Sequence, residues 1–274
     1  MGRRIISVGG GNMGRAIIGG LLARGYKKEL LSIVDPDPAA QQVITQELGL
    51  GVAPSVKNLT GAEIILLAIK PQNMKLVAEE LAPLISNFRP LLISIAAGIT
   101  TAQLSRWLRY DGPIVRAMPN TPALVGRGAA ALFVTPNATE EERVAALDII
   151  STVGFAEWVD NEDLLDIVTA LSGSGPAYYF LVMELLEQIA IELGLDPSLA
   201  RKLSIETAYG ASLLARQSSN TPGQLRQQVT SPGGTTESAL QVLSKGGLEP
   251  LLRNALKAAH ERSRTLAAGK ELNS

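Results

Sequence analysis

The sequence predicts an α/β protein in two parts: an N-terminal doubly wound, mainly parallel sheet, then a domain made of helices alone. Three observations predict it. Short apolar runs alternate with helical patterns through the first 100 residues, further strand-like runs follow to about 159, and a glycine-rich turn stands between the first run and the first helix. Beyond residue 160 helical patterns follow one another with no convincing strand among them.

The elements follow in order. Arg4–Val8 (RIISV) reads as a strand that enters GGGNMG, and the helical stretch Met13–Arg24 follows. Leu30–Val34 is a second strand, closed by Asp35-Pro36-Asp37-Pro38, with a helix over 39–48. Ile64–Ile69 and Leu91–Ala96 are continuous apolar runs, as expected where both faces of a parallel sheet are covered. Val115–Met118, Ala129–Val134 and Ala156–Val159 complete the strands. Helical patterns cover 162–171, 177–193, 197–217, 236–245 and 248–268, with SGSGP, LGLDP, SSNTPG, TSPGG and KGG as punctuation. A boundary near 160 therefore divides a dinucleotide-binding domain, 1–160, from a helical domain, 161–274. Tyr178–Leu193 (YYFLVMELLEQIAIEL) is apolar around most of its circumference. Such a helix must be buried. A partner subunit would cover it, or it is the central helix of a monomeric bundle.

Composition narrows the function. With 46% hydrophobic and 19% charged residues and a net charge of −1, the chain reads as an ordinary soluble protein. It has no basic block, so nucleic-acid binding is not expected. There is no cysteine, which excludes disulfides, thiolate metal sites and cysteine nucleophiles. No apolar run approaches the roughly 20 residues that span a bilayer. The amino terminus turns glycine-rich where a secretory signal would be apolar. A cytoplasmic protein without membrane association is expected. The single histidine, His260, lies in the charged stretch KAAHERSR and reads as solvated. No metal site is expected.

Gly9-Gly10-Gly11-Asn12-Met13-Gly14 fits G-x-G-x-x-G directly between a strand and a helix. In a Rossmann-like domain the first glycine makes the tight turn, the second admits the cofactor pyrophosphate, and the third packs helix on strand. Asp35 ends the second strand, where a carboxylate would bind the adenosine ribose hydroxyls and repel a 2′-phosphate. That leans toward NADH, although an aspartate there also suits a helix cap. Lys70, in AIKP, closes the strand at 64–69 on the edge where such sheets bind ligands.

Little material exists for a strong general acid, and an imine substrate needs less of one. A cyclic iminium accepts hydride without forming an oxyanion, so hydroxyl donors and orientation suffice. TSPGGTT, residues 230–236, offers N–H groups for a small imino acid's carboxylate and hydroxyls for its ring nitrogen. Thr235 or Thr236 would also serve as the N-cap of the helix that follows.

At this point the chain resembles the pyrroline-5-carboxylate reductases over essentially its whole length. The resemblance rests on VGGGNMGRAI, LLAIKPQ, SIAAGIT, RAMPNTPALVGRG, LSGSGPAYYF and, most specifically, PGQLRQQVTSPGGTTESAL. It implies reduction of L-1-pyrroline-5-carboxylate to L-proline by hydride from NADPH or NADH. It also implies a helical domain interlocked with its twofold mate, and a ring of five such dimers. Residue by residue it implies that Val8, Gly9, Gly10, Gly11, Asn12 and Met13 hold the pyrophosphate, with Gly14 completing the motif. Ala68, Ile69, Lys70 and Pro71 then line the nicotinamide side with Ala97. Ser231, Gly233, Gly234, Thr235 and Thr236 hold the substrate, and the Thr236 hydroxyl hydrogen-bonds or protonates its ring nitrogen. Asp35 stands where NADPH-preferring relatives tend to carry a small hydroxyl residue. A β-hydroxyacid dehydrogenase, the nearest rival, would need a lysine after Gly173-x-Gly175, where this chain has Pro-Ala-Tyr-Tyr. A non-catalytic dinucleotide sensor would need the first loop and not the second.

Overall fold

The computed structural model describes residues 2–59 and 61–267. Eight strands form one sheet: β1 (Ile5–Val8), β2 (Leu31–Val34), β3 (Val52–Ala53), β4 (Ile64–Leu67), β5 (Leu91–Ser94), β6 (Ile114–Met118), β7 (Gly128–Val134) and β8 (Gly154–Trp158). Their order is β3-β2-β1-β4-β5-β6-β7-β8. The first six run parallel; β7 is antiparallel to β6, and β8 is parallel to β7. The chain thus starts in the middle, winds outward through β2 and β3, then crosses back to β4. The mainly parallel, doubly wound sheet expected from the apolar runs is the one observed.

The register explains the uninterrupted apolar runs. β1, β4 and β5 are buried at every residue. Alternate residues face opposite sides, and each side has its own helices. Ile5, Ile64, Leu66 and Ile93 pack with Ile17, Ile18 and Leu21 of α1 (Asn12–Ala23) and Ile44 of α2 (Pro38–Leu48). Ile6, Ile65, Leu67 and Leu92 pack with Met74, Ala78 and Leu81 of α3 (Pro71–Ile85) and Leu104 of α4 (Thr101–Leu108). Each fully buried isoleucine or leucine here contributes roughly 1.5–3 kcal/mol. On the first face α5 (Glu140–Ser151) adds Ala146, Ile149 and Ile150.

Several bounds differ from the sequence expectation. The two-residue β3 is too short to show an alternation pattern and was not expected. β4 and β5 stop at Leu67 and Ser94, so Ala68–Ile69 and Ile95–Ala96 are loop residues beyond the ladder. β8 starts at Gly154, whose φ of +152° brings its α-carbon against Gly128; a β-carbon would lie 2.1 Å from the Gly128 carbonyl oxygen. The helix expected over 162–171 is α-helical only in α6 (Leu164–Val168) and widens into a π-turn over Thr169–Gly173.

The remaining helices are α7 (Gly175–Glu192), α8 (Pro197–Gln217), α9 (Pro222–Gln228), α10 (Thr235–Lys245) and α11 (Leu248–Ala267). Helix α9 falls where the sequence suggested only punctuation. Thr221 and Gln224 form a capping box with Pro222 at its first turn, enough to start seven residues of helix between two turns. By contact density the chain forms two compact units, 175–258 and the remainder on either side of it. Helix α6 packs on β6 and β7 and so belongs with the sheet. The boundary expected near 160 falls just after β8, the last strand.

Within the helical unit α7 packs on α8, with the Ser204 hydroxyl donating to the Met183 carbonyl at 2.9 Å. In this single chain α7 is not a covered central helix. Tyr179 is 66% exposed, Phe180 62% and Leu186 57%. Met183, Leu186, Ala190, Leu203 and Ala208 line an open apolar cavity of about 450 Å³ between α7 and α8. No helix among the described residues is long and apolar enough to cross a membrane.

Candidate active site

The strand order places β1 between β2 and β4, so the carboxyl ends of these strands meet where the winding reverses. Open α/β sheets bind their ligands at this position. Gly9 N–H donates to the Val34 carbonyl at 2.8 Å and Ala68 N–H to the Val8 carbonyl at 2.8 Å, which locks the three strand ends together.

Each glycine answers a different demand. Gly9 has φ +100°, and a β-carbon there would sit 2.3 Å from the Ala68 carbonyl oxygen. Gly14 passes close under the same turn, its missing β-carbon 2.6 Å from the Gly9 carbonyl oxygen. Gly11 differs. It is the N-cap of α1 with φ −65°, a conformation open to any residue, and beyond its own chain neighbours no described atom lies within 4 Å of its missing β-carbon. Nothing in the fold requires glycine at that position, which leaves the backbone there open to approach. The N-terminus of α1 carries no side-chain cap and no acidic residue in its first turn. Its free N–H groups and dipole favour an anion.

Asp35 lies one residue beyond β2. Its Oδ2 accepts from Gly10 N–H at 2.8 Å and its Oδ1 from Asp37 N–H at 3.0 Å. The cap of α2 is Asp37, which accepts from Ala39 N–H at 3.0 Å. Asp35 is therefore not the helix cap; its carboxylate faces the glycine turn. Arg15 braces the other side, donating to the Gly10 carbonyl at 3.1 Å and pairing with Glu47 at 3.1 Å.

Ala68 and Ile69 follow β4, and Lys70 and Pro71 open α3. Lys70 is exposed and forms no ion pair among the described residues. Ala97 follows β5 in the loop to α4. Val8, the glycine turn, Asp35, Ala68–Pro71 and Ala97 are thus gathered along one edge of the sheet. His260, expected to be solvated, is partly buried on α11.

The second loop lies in the helical unit. Ser231 carbonyl accepts from Gly234 N–H at 3.0 Å, with Pro232 at the second position and Gly233 at φ +71° in the third. This is the sequence pattern and geometry of a type II turn. The turn leads into α10, whose N-cap is Gly234; neither Thr235 nor Thr236 caps the helix. Both hydroxyls, and that of Ser231, are without a hydrogen bond among the described residues. Gly233 N–H instead donates to Glu237 Oε2 at 2.7 Å. A carboxylate already sits on this turn, and it comes from the protein's own helix.

Sequence reasoning missed a buried polar cluster beside the sheet edge. Arg116 on β6 is 2% exposed and pairs with Glu162 at 3.2 Å and Asp166 at 3.6 Å. Glu162 accepts from both the Thr101 N–H and hydroxyl, at 2.8 and 2.6 Å. Asn120 also went unnoticed: its side chain donates to the Ser172 carbonyl in the π-turn and accepts from Ala129 N–H. Only the capping box Thr100-x-x-Gln103 was readable locally. Among the described residues no group of three or more histidine, aspartate or glutamate side chains could hold a metal.

A glycine turn at a sheet switch point, an uncapped helix N-terminus and a carboxylate at the next strand end define a dinucleotide-dependent oxidoreductase with an appended helical domain. A family model described as pyrroline-5-carboxylate reductase dimerisation matches residues 162–266, and one described as NADP oxidoreductase, coenzyme F420-dependent, matches 4–98. The pyrroline-5-carboxylate reductase of Pseudomonas aeruginosa is 41% identical over 265 residues, 96% of this chain and 97% of that one. That of Haemophilus influenzae is 40% identical over 96% of this chain and 97% of its own. Among solved structures, the enzyme of Coxiella burnetii superposes with a TM-score of 0.91 at 39% identity, covering 97% and 98% of the two chains. The Plasmodium falciparum enzyme, determined with NADP bound, gives 0.85 at 30% identity over 97% and 98%. The chain belongs to the pyrroline-5-carboxylate reductase family.

Proposed function

We propose that this protein reduces L-1-pyrroline-5-carboxylate to L-proline with NADPH or NADH, the last step of proline biosynthesis. Residues 1–160 bind the dinucleotide, and 161–274 bind the substrate and form the dimer. The observation that carries the substrate reading is the turn at 231–234, where Gly233 N–H binds a carboxylate beside three unengaged hydroxyls.

The open backbone at Gly11 and the uncapped start of α1 fit a pyrophosphate. Bound there, the dinucleotide supplies hydride to the imine carbon. The chain's own residues do the rest. The Ser231–Gly234 turn and the first N–H groups of α10 take the substrate carboxylate, displacing Glu237 from Gly233. Thr236 Oγ1 hydrogen-bonds the ring nitrogen, orienting the iminium and stabilising the amine as its lone pair forms. Ser231 and Thr235 complete the hydroxyl rim. Ala68–Pro71 and Ala97 present the nicotinamide face. No strong acid is required, because the ring nitrogen enters protonated and keeps that proton.

Asp35 faces the ribose side with a carboxylate that would repel a 2′-phosphate, so both cofactors serve with a lean to NADH. The exposed face of α7 and α8 is covered by a second copy in an interlocked dimer, within a ring of five dimers.

Steady-state oxidation of NADH and NADPH with pyrroline-5-carboxylate, followed at the nicotinamide absorbance, tests the assignment. Turnover with either cofactor is expected. Tight dinucleotide binding without turnover would overturn it.

A further inference from the structure

The loop from β5 to α4, residues 95–100, carries Ala97, and it is held from two directions by the last described turns of α11. Gln103 makes the first tie. Its Oε1 accepts from Thr100 N–H at 2.8 Å, completing the capping box, while its Nε2 donates to the Ala267 carbonyl at 3.0 Å. The loop is also pressed against this helix. Gly98 has φ +72°, and its missing β-carbon would lie 3.1 Å from Leu266 Cβ.

The second tie is ionic. Ser263, 3% exposed on α11, donates to Asp166 Oδ1 at 2.8 Å. Asp166 faces Arg116 at 3.6 Å, Arg116 holds Glu162 at 3.2 Å, and Glu162 grips Thr101 through two hydrogen bonds. The partners are 97 residues apart at Ser263–Asp166 and 164 apart at Gln103–Ala267.

We propose that Gln103 and the chain Ser263–Asp166–Arg116–Glu162 are positioning residues, by which the end of α11 fixes the β5–α4 loop and thereby Ala97 against the nicotinamide. The inference rests on the reading that Ala97 lines that ring. The side chain at position 103 supports the assignment. Glutamate fills the third position of a capping box as well as glutamine does. Only glutamine also has an N–H to give the Ala267 carbonyl, where a carboxylate would oppose one acceptor with another. Buried ionic chains hold their members to one arrangement because every unpaired charge is costly.

The test is Q103E in the full-length enzyme, with S263A as a second variant. Amide hydrogen exchange across residues 95–102, melting temperature, and kcat and KM for pyrroline-5-carboxylate at saturating cofactor are read together. Q103E keeps the cap, so its melting temperature stays near that of the parent. Exchange at 95–102 accelerates about tenfold as the loop opens locally. The kcat falls about tenfold from misplacement of the ring, while KM stays within about twofold. S263A moves both readouts in the same direction by less, and it decides the matter if Q103E does not fold. Parent-like exchange in the folded variants overturns the tether. Faster exchange with parent-like kcat overturns the positioning role and, with it, the placement of Ala97. A failure of the reductase reading itself is distinct: the parent enzyme would not turn over, while exchange would still report the tether.

Discussion

Replacing Gly11 by alanine separates the demands of the fold from those of the ligand. Its φ of −65° and ψ of 178° suit any residue, and beyond its chain neighbours no described atom lies within 4 Å of the added methyl. The free protein should keep its stability to within about 1 kcal/mol, since the glycine's lost unfolded freedom, roughly 0.4–1 kcal/mol, offsets alanine's weaker capping of α1, about 0.5–1 kcal/mol. The dinucleotide should respond in the opposite sense. A methyl in the path of the pyrophosphate holds it off the first N–H groups of α1. Each charge-assisted hydrogen bond lost costs about 1.5–3 kcal/mol. Two such losses weaken binding by about 10²–10⁴-fold. Gly9→Ala is the control, because its methyl would stand 2.3 Å from a backbone oxygen at φ +100°. Strain of about 1–3 kcal/mol and overpacking of about 1–3 kcal/mol should lower its melting temperature by roughly 5–20 °C. Thermal unfolding by circular dichroism and calorimetric titration with NADPH and NADH read both effects. A Gly11→Ala protein that binds either cofactor within about twofold of the parent would refute the placement of the pyrophosphate. One that melts several degrees lower would refute the claim that the space is free.

Three further outcomes follow from the same geometry. Thr236→Ala should lower kcat by about one to two decades and leave the melting temperature unchanged, since the hydroxyl has no partner in the free chain; steady-state kinetics and thermal unfolding check both. Asp35→Ser should raise the NADPH-to-NADH ratio of kcat/KM by about tenfold or more through lost repulsion, and lower efficiency with NADH, because Gly10 N–H loses its acceptor. The third concerns Tyr110, which burial pushes above its ordinary pKa and whose hydroxyl donates to the Pro90 carbonyl. The folded state keeps that proton when the unfolded chain releases it near pH 10, so the contribution is complete below about pH 10 and lost above it. Denaturant titrations across pH 8–11 should show the alkaline loss, and Tyr110→Phe should flatten it at a cost of about 1–3 kcal/mol at neutral pH for the stranded carbonyl.

What the sequence by itself determined was whatever is written within one turn or one strand. The apolar runs at 64–69 and 91–96 gave strands because both faces of those strands are covered, and the glycines at 9 and 14 gave the turn because its requirements are local. The excess of apolar residues in 178–193 showed a helix that must be buried, but only the structure, with Phe180 and Leu186 exposed, decided that this chain alone does not cover it. Tertiary structure decided the rest. Asp35 read equally well as a ribose ligand or a helix cap until Asp37 was seen to be the cap and Asp35 to face Gly10. Thr235 and Thr236 read as caps until Gly234 took that place and left their hydroxyls free. The ties from α11 to the β5–α4 loop could not be read at all. A side-chain hydrogen bond spanning 164 residues leaves no periodicity and no local signature, because its geometry exists only once the sheet has brought both ends together.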